Sequence, residues 1–186
     1  MLYKLITFAF LVRVWTALAY KYEVQFRDEK FFLPCEKYPN NSLDIVIKRP
    51  ENVTVLSDSA TYVYGDVVII YDFDPLQKYE TNMEFFKFSR GSWQKTLYSI
   101  RRDDFCTSFF NPSELWSPFL KEMPAEQRKC PFRKGQIFSI NATTDQSFEM
   151  PTGSLEGDYW AHFEAGDRKN LDMFFCIDSY FNIYRV

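Results

Sequence analysis

A chain of 186 residues with a formal net charge of −3 is long enough to bury one sizeable core and lacks the positive excess that attracts nucleic acid. Its six glycines exclude a collagen-like or low-complexity chain. Phe, Tyr and Trp make up 19% of the residues, which favours strands around an aromatic interior.

Residues 1–19 have the parts of a secretory signal peptide. Residues 5–12 form an apolar stretch after a lysine, and residues 17–19 (Ala-Leu-Ala) have the small residues that precede a cleavage site. Arg13 interrupts the apolar run, which is too short for the roughly 20 residues of a membrane-spanning helix. We therefore expect cleavage after residue 19. The product, residues 20–186, would be a secreted, extracellular single domain with a formal net charge of −5 and no transmembrane segment.

Three N-glycosylation sequons agree with an extracellular chain. They begin at Asn40, Asn52 and Asn141, each in a sequence that reads as a turn. A single sequon often arises by chance, but three of them behind a signal peptide predict a glycoprotein. One or two of the three could still carry no glycan.

Four cysteines follow the predicted cleavage site: Cys35, Cys106, Cys130 and Cys176. An even number in a secreted chain predicts two disulfides, for which three connectivities are possible. The sequence alone leaves all three open, and the most economical joins Cys106 to Cys130 and Cys35 to Cys176. Because no C-x-x-C motif is present and the chain has one histidine, we expect no metal and no cofactor.

Alternation of apolar and polar residues predicts about eight strands along the chain. In chain order, the predicted strands cover residues 22–27, 43–48, 61–72, 82–89, 92–101, 136–141, 147–150, 158–164 and 171–184. Gly65 predicts either a bulge or a hairpin turn within the third of these, and Arg90-Gly91 predicts a tight hairpin turn between the fourth and fifth. Strands at this spacing predict an all-β sandwich or an open barrel.

The stretch after Cys106 does not have this alternation. A helix-like start at Asn111 is followed by Pro118 and Pro124, which predicts a short, irregular helical loop. A loop as long as residues 107–129 is usually functional or disordered. This one carries too many apolar side chains for disorder, so we expect it to pack into or cover the interior. These side chains are Phe109, Phe110, Leu115, Trp116, Phe119 and Leu120.

Residues 102–106 (Arg-Asp-Asp-Phe-Cys), the aromatic pair at 109–110 and residues 130–132 (Cys-Pro-Phe) resemble the insect secreted families related to the CheA and CheB chemosensory proteins. These are distantly similar to the ganglioside activator protein and the lipid-recognition β-sandwich superfamily. The resemblance implies an immunoglobulin-like β-sandwich or cup with an apolar cavity, and it supports the disulfide pairing above. Because the ganglioside activator pattern has four disulfides, only the apolar nature of its ligand carries over.

The function implied by this resemblance is extracellular binding of a lipid or a hydrophobic pheromone-like molecule, with a membrane receptor as a further partner. We expect the ligand to contact the six apolar residues of the loop together with Trp93 and Trp160. The alternative is a secreted protein-interaction module with a filled aromatic core and no small ligand.

An enzyme is the weaker class. His162, the one histidine, alternates with Trp160 on the same face of a predicted strand, where a structural or surface imidazole is the simpler interpretation. The chain has no G-x-S-x-G motif, and its four cysteines are expected to be paired rather than nucleophilic. We therefore predict no catalytic residues.

Overall fold

The computed structural model describes residues 19–27, 31–49, 52–57, 60–151, 154–167 and 173–186. Residues 1–18 of the predicted signal peptide lie outside the described residues, so cleavage stays a prediction. The described chain consists mostly of strands and has two short α-helices, which confirms the predicted all-β class.

Two antiparallel sheets contain all the strands of the described residues. The strands are β1 (Tyr20–Phe26), β2 (Leu33–Pro34), β3 (Ile47–Lys48), β4 (Asn52–Ser57), β5 (Ala60–Ile69), β6 (Tyr79–Ser89), β7 (Ser92–Arg102), β8 (Ile137–Asp145), β9 (Ser147–Met150), β10 (Gly157–Asp167) and β11 (Met173–Arg185). The large sheet has the order β7-β6-β10-β11-β1-β9, with β2 also paired to β11. In the small sheet, β5 pairs with β3 and β4 on one edge and with β8 on the other.

Strand alternation decides which face of each sheet is buried. In β10, Tyr159, Ala161, Phe163 and Ala165 are buried, and the residues between them belong to the opposite face. The inner faces of the two sheets pack against each other through one apolar cluster. Its buried members are Val46, Val67, Ile69, Phe73, Leu120, Met123, Phe132, Phe138, Phe163, Ala165 and Phe175.

A second cluster lies on the inner side of the curled large sheet, near β1 and β9. Its buried members are Tyr22, Leu155, Tyr159, Ala161, Phe181 and Ile183. Phe148 of β9 stacks on Tyr22 at a centroid distance of 5.6 Å, so the edge strand helps to close this end of the molecule. Together the two clusters give the sandwich or cup that the sequence predicts.

The hairpin between β6 and β7 confirms the predicted turn. Both of its central residues have positive φ, 53° for Arg90 and 82° for Gly91. Such a turn matches the right-handed twist of the flanking strands. Gly65, by contrast, lies within the continuous strand β5, so it is not a hairpin turn.

One predicted strand is mostly wrong. Residues 43–45 form a 3-10 turn, and only Ile47–Lys48 pair as a strand. The amides of Ile45 and Val46 donate to the carbonyls of Ser42 and Leu43, three residues back, so they are not available to a neighbouring strand. Conversely, β4 was not predicted, although its sequence alternates polar and apolar residues.

The helical stretch begins earlier than predicted. Helix α1 covers Phe105–Phe109, and its N-cap Asp104 accepts a hydrogen bond from the amide of Thr107 at 3.2 Å. The predicted start at Asn111 lies after this helix. Helix α2 (Ser117–Leu120) has Pro118 in its first turn, where proline is tolerated because that amide needs no helical partner.

Candidate functional site

Two disulfides frame the structure. Cys35 pairs with Cys176, and Cys106 pairs with Cys130, the connectivity favoured from the sequence. The first joins positions that are 141 residues apart and ties the segment after β2 to β11. The second closes residues 106–130, here called the bridged segment, into a covalent loop.

Aromatic side chains of the bridged segment lie between the two sheets. Phe109 packs edge-on against Phe132 at a centroid distance of 5.6 Å, and Phe110 contacts Phe138 at 6.0 Å. The indole Nε1 of Trp116 donates to the carbonyl of Phe109 at 2.8 Å, which holds its ring beside that of Phe109. The segment therefore contributes side chains, rather than strands, to the core.

The six predicted ligand residues of the bridged segment do not all face this core. Phe109, Phe110 and Trp116 are partly buried against the core and Leu120 is fully part of it, while Phe119 is half-buried. Leu115 is 60% exposed and points into solvent, so the structure does not place it with the others. Its neighbour Glu114 takes the buried position in that turn.

The wall opposite the bridged segment was not predicted as part of a site. It consists of rings from the two sheets and from the flanks of the segment: Phe73, Phe105, Phe132, Phe138, Phe163 and Phe175. The sequence indicated this wall only through the alternation of apolar and polar residues in residues 136–141 and 158–164. Such alternation predicts that one face of each strand is buried, but it does not indicate which loop covers that face.

An ion pair between a buried glutamate and a partly exposed arginine fixes the bridged segment to the end of β7. The carboxylate of Glu114, whose residue is 5% exposed, accepts from Arg102 Nε at 2.5 Å and from Nη2 at 3.2 Å. Such a two-point pair sets orientation as well as charge balance. Further along, Arg128 donates to the carbonyls of Leu120, Lys121 and Met123, which satisfies the end of α2.

A narrow crevice leads from the surface towards the core between the sheets. It has a volume of about 20 Å³ and reaches the core beside Cys106, between Phe105 and Phe132. This volume holds about one water molecule. A larger opening of about 260 Å³ is a surface groove beside Gly157 and Tyr184, away from the bridged segment. A ligand as large as a lipid that entered through the crevice beside Cys106 would therefore have to displace side chains of the core.

Trp93 and Trp160 lie on the other side of the large sheet. Trp160 stacks on Phe86 at a centroid distance of 4.5 Å and on Tyr180 at 6.2 Å. Trp93 packs against Tyr180 at 5.8 Å and against the exposed Phe88 at 5.3 Å. We call these five residues the outer aromatic cluster. β10 presents Trp160 outward and Phe163 inward, so the structure places the two tryptophans and the bridged segment on opposite faces of the large sheet, and ligand contact by either set stays a prediction.

His162 lies next to this cluster and between two carboxylates. Its Nδ1 is 2.7 Å from Oδ1 of Asp178, and its Nε2 is 3.1 Å from Oε1 of Glu164. The hydrogen bond to Asp178 raises the pKa of His162, and burial only partly opposes the rise. The ring also lies within 3.9 Å of the sulfurs of Cys35 and Cys176. These sulfurs are bonded to each other, so they are not thiolate ligands for a metal.

This arrangement predicts a pH-dependent stability. The pKa of His162 is higher in the folded protein than the value of about 6.5 expected in the unfolded chain. Protonation of His162 therefore stabilises the fold fully below about pH 6.5, and this stabilisation is lost as the pH rises through the folded-state pKa. We expect the free energy of unfolding of wild type, minus that of His162→Gln, to decrease with rising pH. Urea titrations between about pH 5.5 and 8.5 measure this difference. An increase over the same range would contradict the assignment.

No model of a known protein family matches the chain, and no curated protein matches it. The resemblance to the chemosensory families therefore stays a prediction. In the part of the chain that the structure describes, no helix is both long and apolar enough to cross a membrane.

Proposed function

We propose that the protein is a secreted, extracellular binding protein for an apolar ligand such as a lipid or a pheromone-like hydrocarbon. The proposed site lies between the two sheets, beneath the bridged segment. One observation carries the proposal: aromatic side chains of a segment that belongs to neither sheet pack against the core between the sheets. Those rings occupy the volume that a ligand would take.

The chemistry of this region suits an apolar molecule. Rings of Phe132, Phe138, Phe163 and Phe175 offer contact area without charge, and each Å² of apolar surface removed from water contributes about 25 cal/mol. The Cys106–Cys130 disulfide fixes both ends of the bridged segment, so we expect ligand entry to require movement of the residues between those ends. Ligand contacts would replace ring contacts, and the affinity would be the difference between them.

A second candidate is a protein-interaction module, for a membrane receptor or another extracellular protein. Two observations favour it: the interior crevice has room for about one water, and the outer aromatic cluster presents partly exposed rings. Tyr and Trp are typical anchors of protein interfaces. In this case the bridged segment is simply core.

Paired tryptophan substitutions separate the two candidates. If the ligand binds beneath the bridged segment, Trp116→Ala should weaken binding of the apolar fluorophore N-phenyl-1-naphthylamine at least about tenfold, which corresponds to the loss of about 1.4 kcal/mol of contact. The matched variant Trp93→Ala, on the opposite face of the large sheet, should leave that affinity unchanged. Fluorescence titration measures binding, and thermal unfolding of both variants shows whether stability alone has changed.

The opposite outcome supports the interaction module. It would consist of no probe binding by wild type, and no lipid detected by native mass spectrometry of the protein purified from its own secretory cells. Stability lowered by Trp116→Ala without any change in probe binding would likewise place that side chain in a filled core.

A further inference from the structure

Two of the three sequons lie in strands rather than in turns, on the two sides of β5. Asn52 is in β4 and Asn141 is in β8, which corrects the prediction of turns at these positions. The backbone register pairs both with the same residue, giving the row Asn52–Tyr64–Asn141 across the small sheet. Two residues away along each strand, the register gives a second row, Thr54–Tyr62–Thr143, which contains the threonines of both sequons.

The residues that β5 and β8 contribute to these two rows face solvent. Between them, Val63 and Ala142 belong to the inner face and are buried. Tyr64 is 52% exposed and Asn141 is exposed. Because side chains alternate along a strand, an Asn-x-Thr sequon in a strand places its asparagine and threonine on one face. For Asn141 and Thr143 in β8, that face is the outer one.

The two tyrosines form a small aromatic surface beside Asn141. Their rings are stacked with an interplanar angle of 14° and a centroid distance of 6.3 Å. The hydroxyl of Tyr62 donates to Oδ1 of Asn141 at 3.0 Å. This bond uses the amide oxygen and does not involve Nδ2, the atom to which an N-linked sugar is attached. The observed geometry is therefore compatible with a glycan on Asn141.

We propose that Tyr62 and Tyr64 form a sugar-stacking platform for an N-linked glycan at Asn141. The first N-acetylglucosamine packs its C–H groups, which carry partial positive charge, against the negative face of a tyrosine ring. The inference rests on the secretion that is part of the proposed function. If it holds, carbohydrate covers the outer face of the small sheet, and protein partners bind to other surfaces of the molecule.

The attachment itself follows ordinary secretory chemistry. The donor is a lipid-linked diphospho-oligosaccharide. The bond between the anomeric carbon and the diphosphate oxygen breaks, the bond from that carbon to Nδ2 of asparagine forms, and an amide proton is released with the diphosphate. No residue of this chain takes part in the transfer beyond the sequon itself.

Site occupancy is the first test. The full chain is expressed in a eukaryotic cell line, and glycopeptide mass spectrometry of the material in the medium measures occupancy at each sequon. Asn40, in a turn outside both sheets, is the internal reference for secretory glycosylation. We expect a glycan at Asn141. Occupancy at Asn40 but not at Asn141 would overturn the platform and leave secretion standing, whereas retention of an unglycosylated chain in the cells would overturn secretion itself.

Thermal unfolding of the secreted protein is the second test. Trimming each glycan to its first N-acetylglucosamine should leave the unfolding midpoint unchanged, because the stacked sugar remains. Complete removal by a peptide N-glycosidase should lower it by about 2–4 °C, the shift that one contact of aromatic-pair strength produces in a chain of this size. An equal midpoint after trimming and after complete removal would overturn the platform.

Two variants assign the shift to the ring. Tyr64→Phe keeps the aromatic face and should show the wild-type difference between trimmed and fully deglycosylated protein. Tyr64→Thr keeps a strand-forming residue but leaves only the ring of Tyr62, and it should show a smaller difference than wild type. If Tyr64→Thr is not secreted, Asn141→Gln provides the comparison: its loss of midpoint should match the complete-removal shift of wild type, and an unchanged midpoint would contradict the proposal.

Discussion

Replacement of both Cys35 and Cys176 by alanine is expected to lower the free energy of unfolding by up to about 5 kcal/mol, because the disulfide between them closes a loop of 141 residues. A cross-link over such a separation restricts the unfolded chain strongly. Both side chains are almost completely buried, so alanine avoids the burial of a hydroxyl group that serine would cause. Urea unfolding of the variant and wild type under identical conditions measures the loss.

The matched control is the double alanine variant of Cys106 and Cys130. Their separation of 24 residues gives a smaller loss of about 3.5 kcal/mol on the same chain-entropy account. The two variants should also differ in function. Freeing the ends of the bridged segment should alter binding of an apolar probe, whereas loss of the Cys35–Cys176 disulfide should mainly alter stability. A larger stability loss for the Cys106–Cys130 variant would contradict the entropic ranking.

The strands were predictable where a single face is buried. In β10 the alternation of Tyr159, Ala161 and Phe163 with polar or amphipathic residues is visible in the sequence, and the structure buries those three residues. The turn at Arg90-Gly91 was likewise predictable, because its conformation, with positive φ at both residues, involves only neighbouring residues of the chain. Residues 43–45 were mispredicted because the choice between a 3-10 turn and a strand depends on partners that are distant in sequence.

The candidate site was less predictable because it depends on which strands are neighbours. β10 lies between β6 and β11, so Trp160 meets Phe86 and Tyr180 from positions 74 and 20 residues away. No local pattern indicates this, so the sequence alone could not show that Trp93 and Trp160 lie on the face of the large sheet opposite the bridged segment. The burial of Glu114 was missed for a related reason. A charged residue in a loop reads as exposed until its partner Arg102 is known.

The position of the two strand sequons shows the same limit. Asn52 and Asn141 are 89 residues apart in the chain, and only the pairing of β4 and β8 with β5 places both beside Tyr64. The sequence identifies the sequons, but only the strand register shows that two of them lie in the same row of the small sheet. Motifs such as sequons can therefore be identified from the sequence, whereas the contacts between residues on neighbouring strands are known only once the strand pairing is known.

Phe132→Ala is expected to lower the free energy of unfolding by about 3–5 kcal/mol, the range for removal of a buried phenylalanine. The ring is buried at the centre of the main apolar cluster. It contacts the rings of Phe73, Phe105, Phe109, Phe110 and Phe138 at centroid distances between 5.6 and 6.0 Å. Leu97→Ala is the control, because Leu97 is fully exposed and its loss should change stability by no more than about 0.5 kcal/mol.

The cavity left by Phe132→Ala also tests the proposed binding region. It would be lined by rings and would stay dry, and an apolar cavity of that kind binds benzene. We expect added benzene to raise the unfolding midpoint of the variant but not that of wild type, whose crevice is too small. A stability loss under about 1 kcal/mol without benzene binding would mean that the bridged segment collapses into the space. Its aromatic side chains would then be mobile enough to admit a ligand in the unmodified protein.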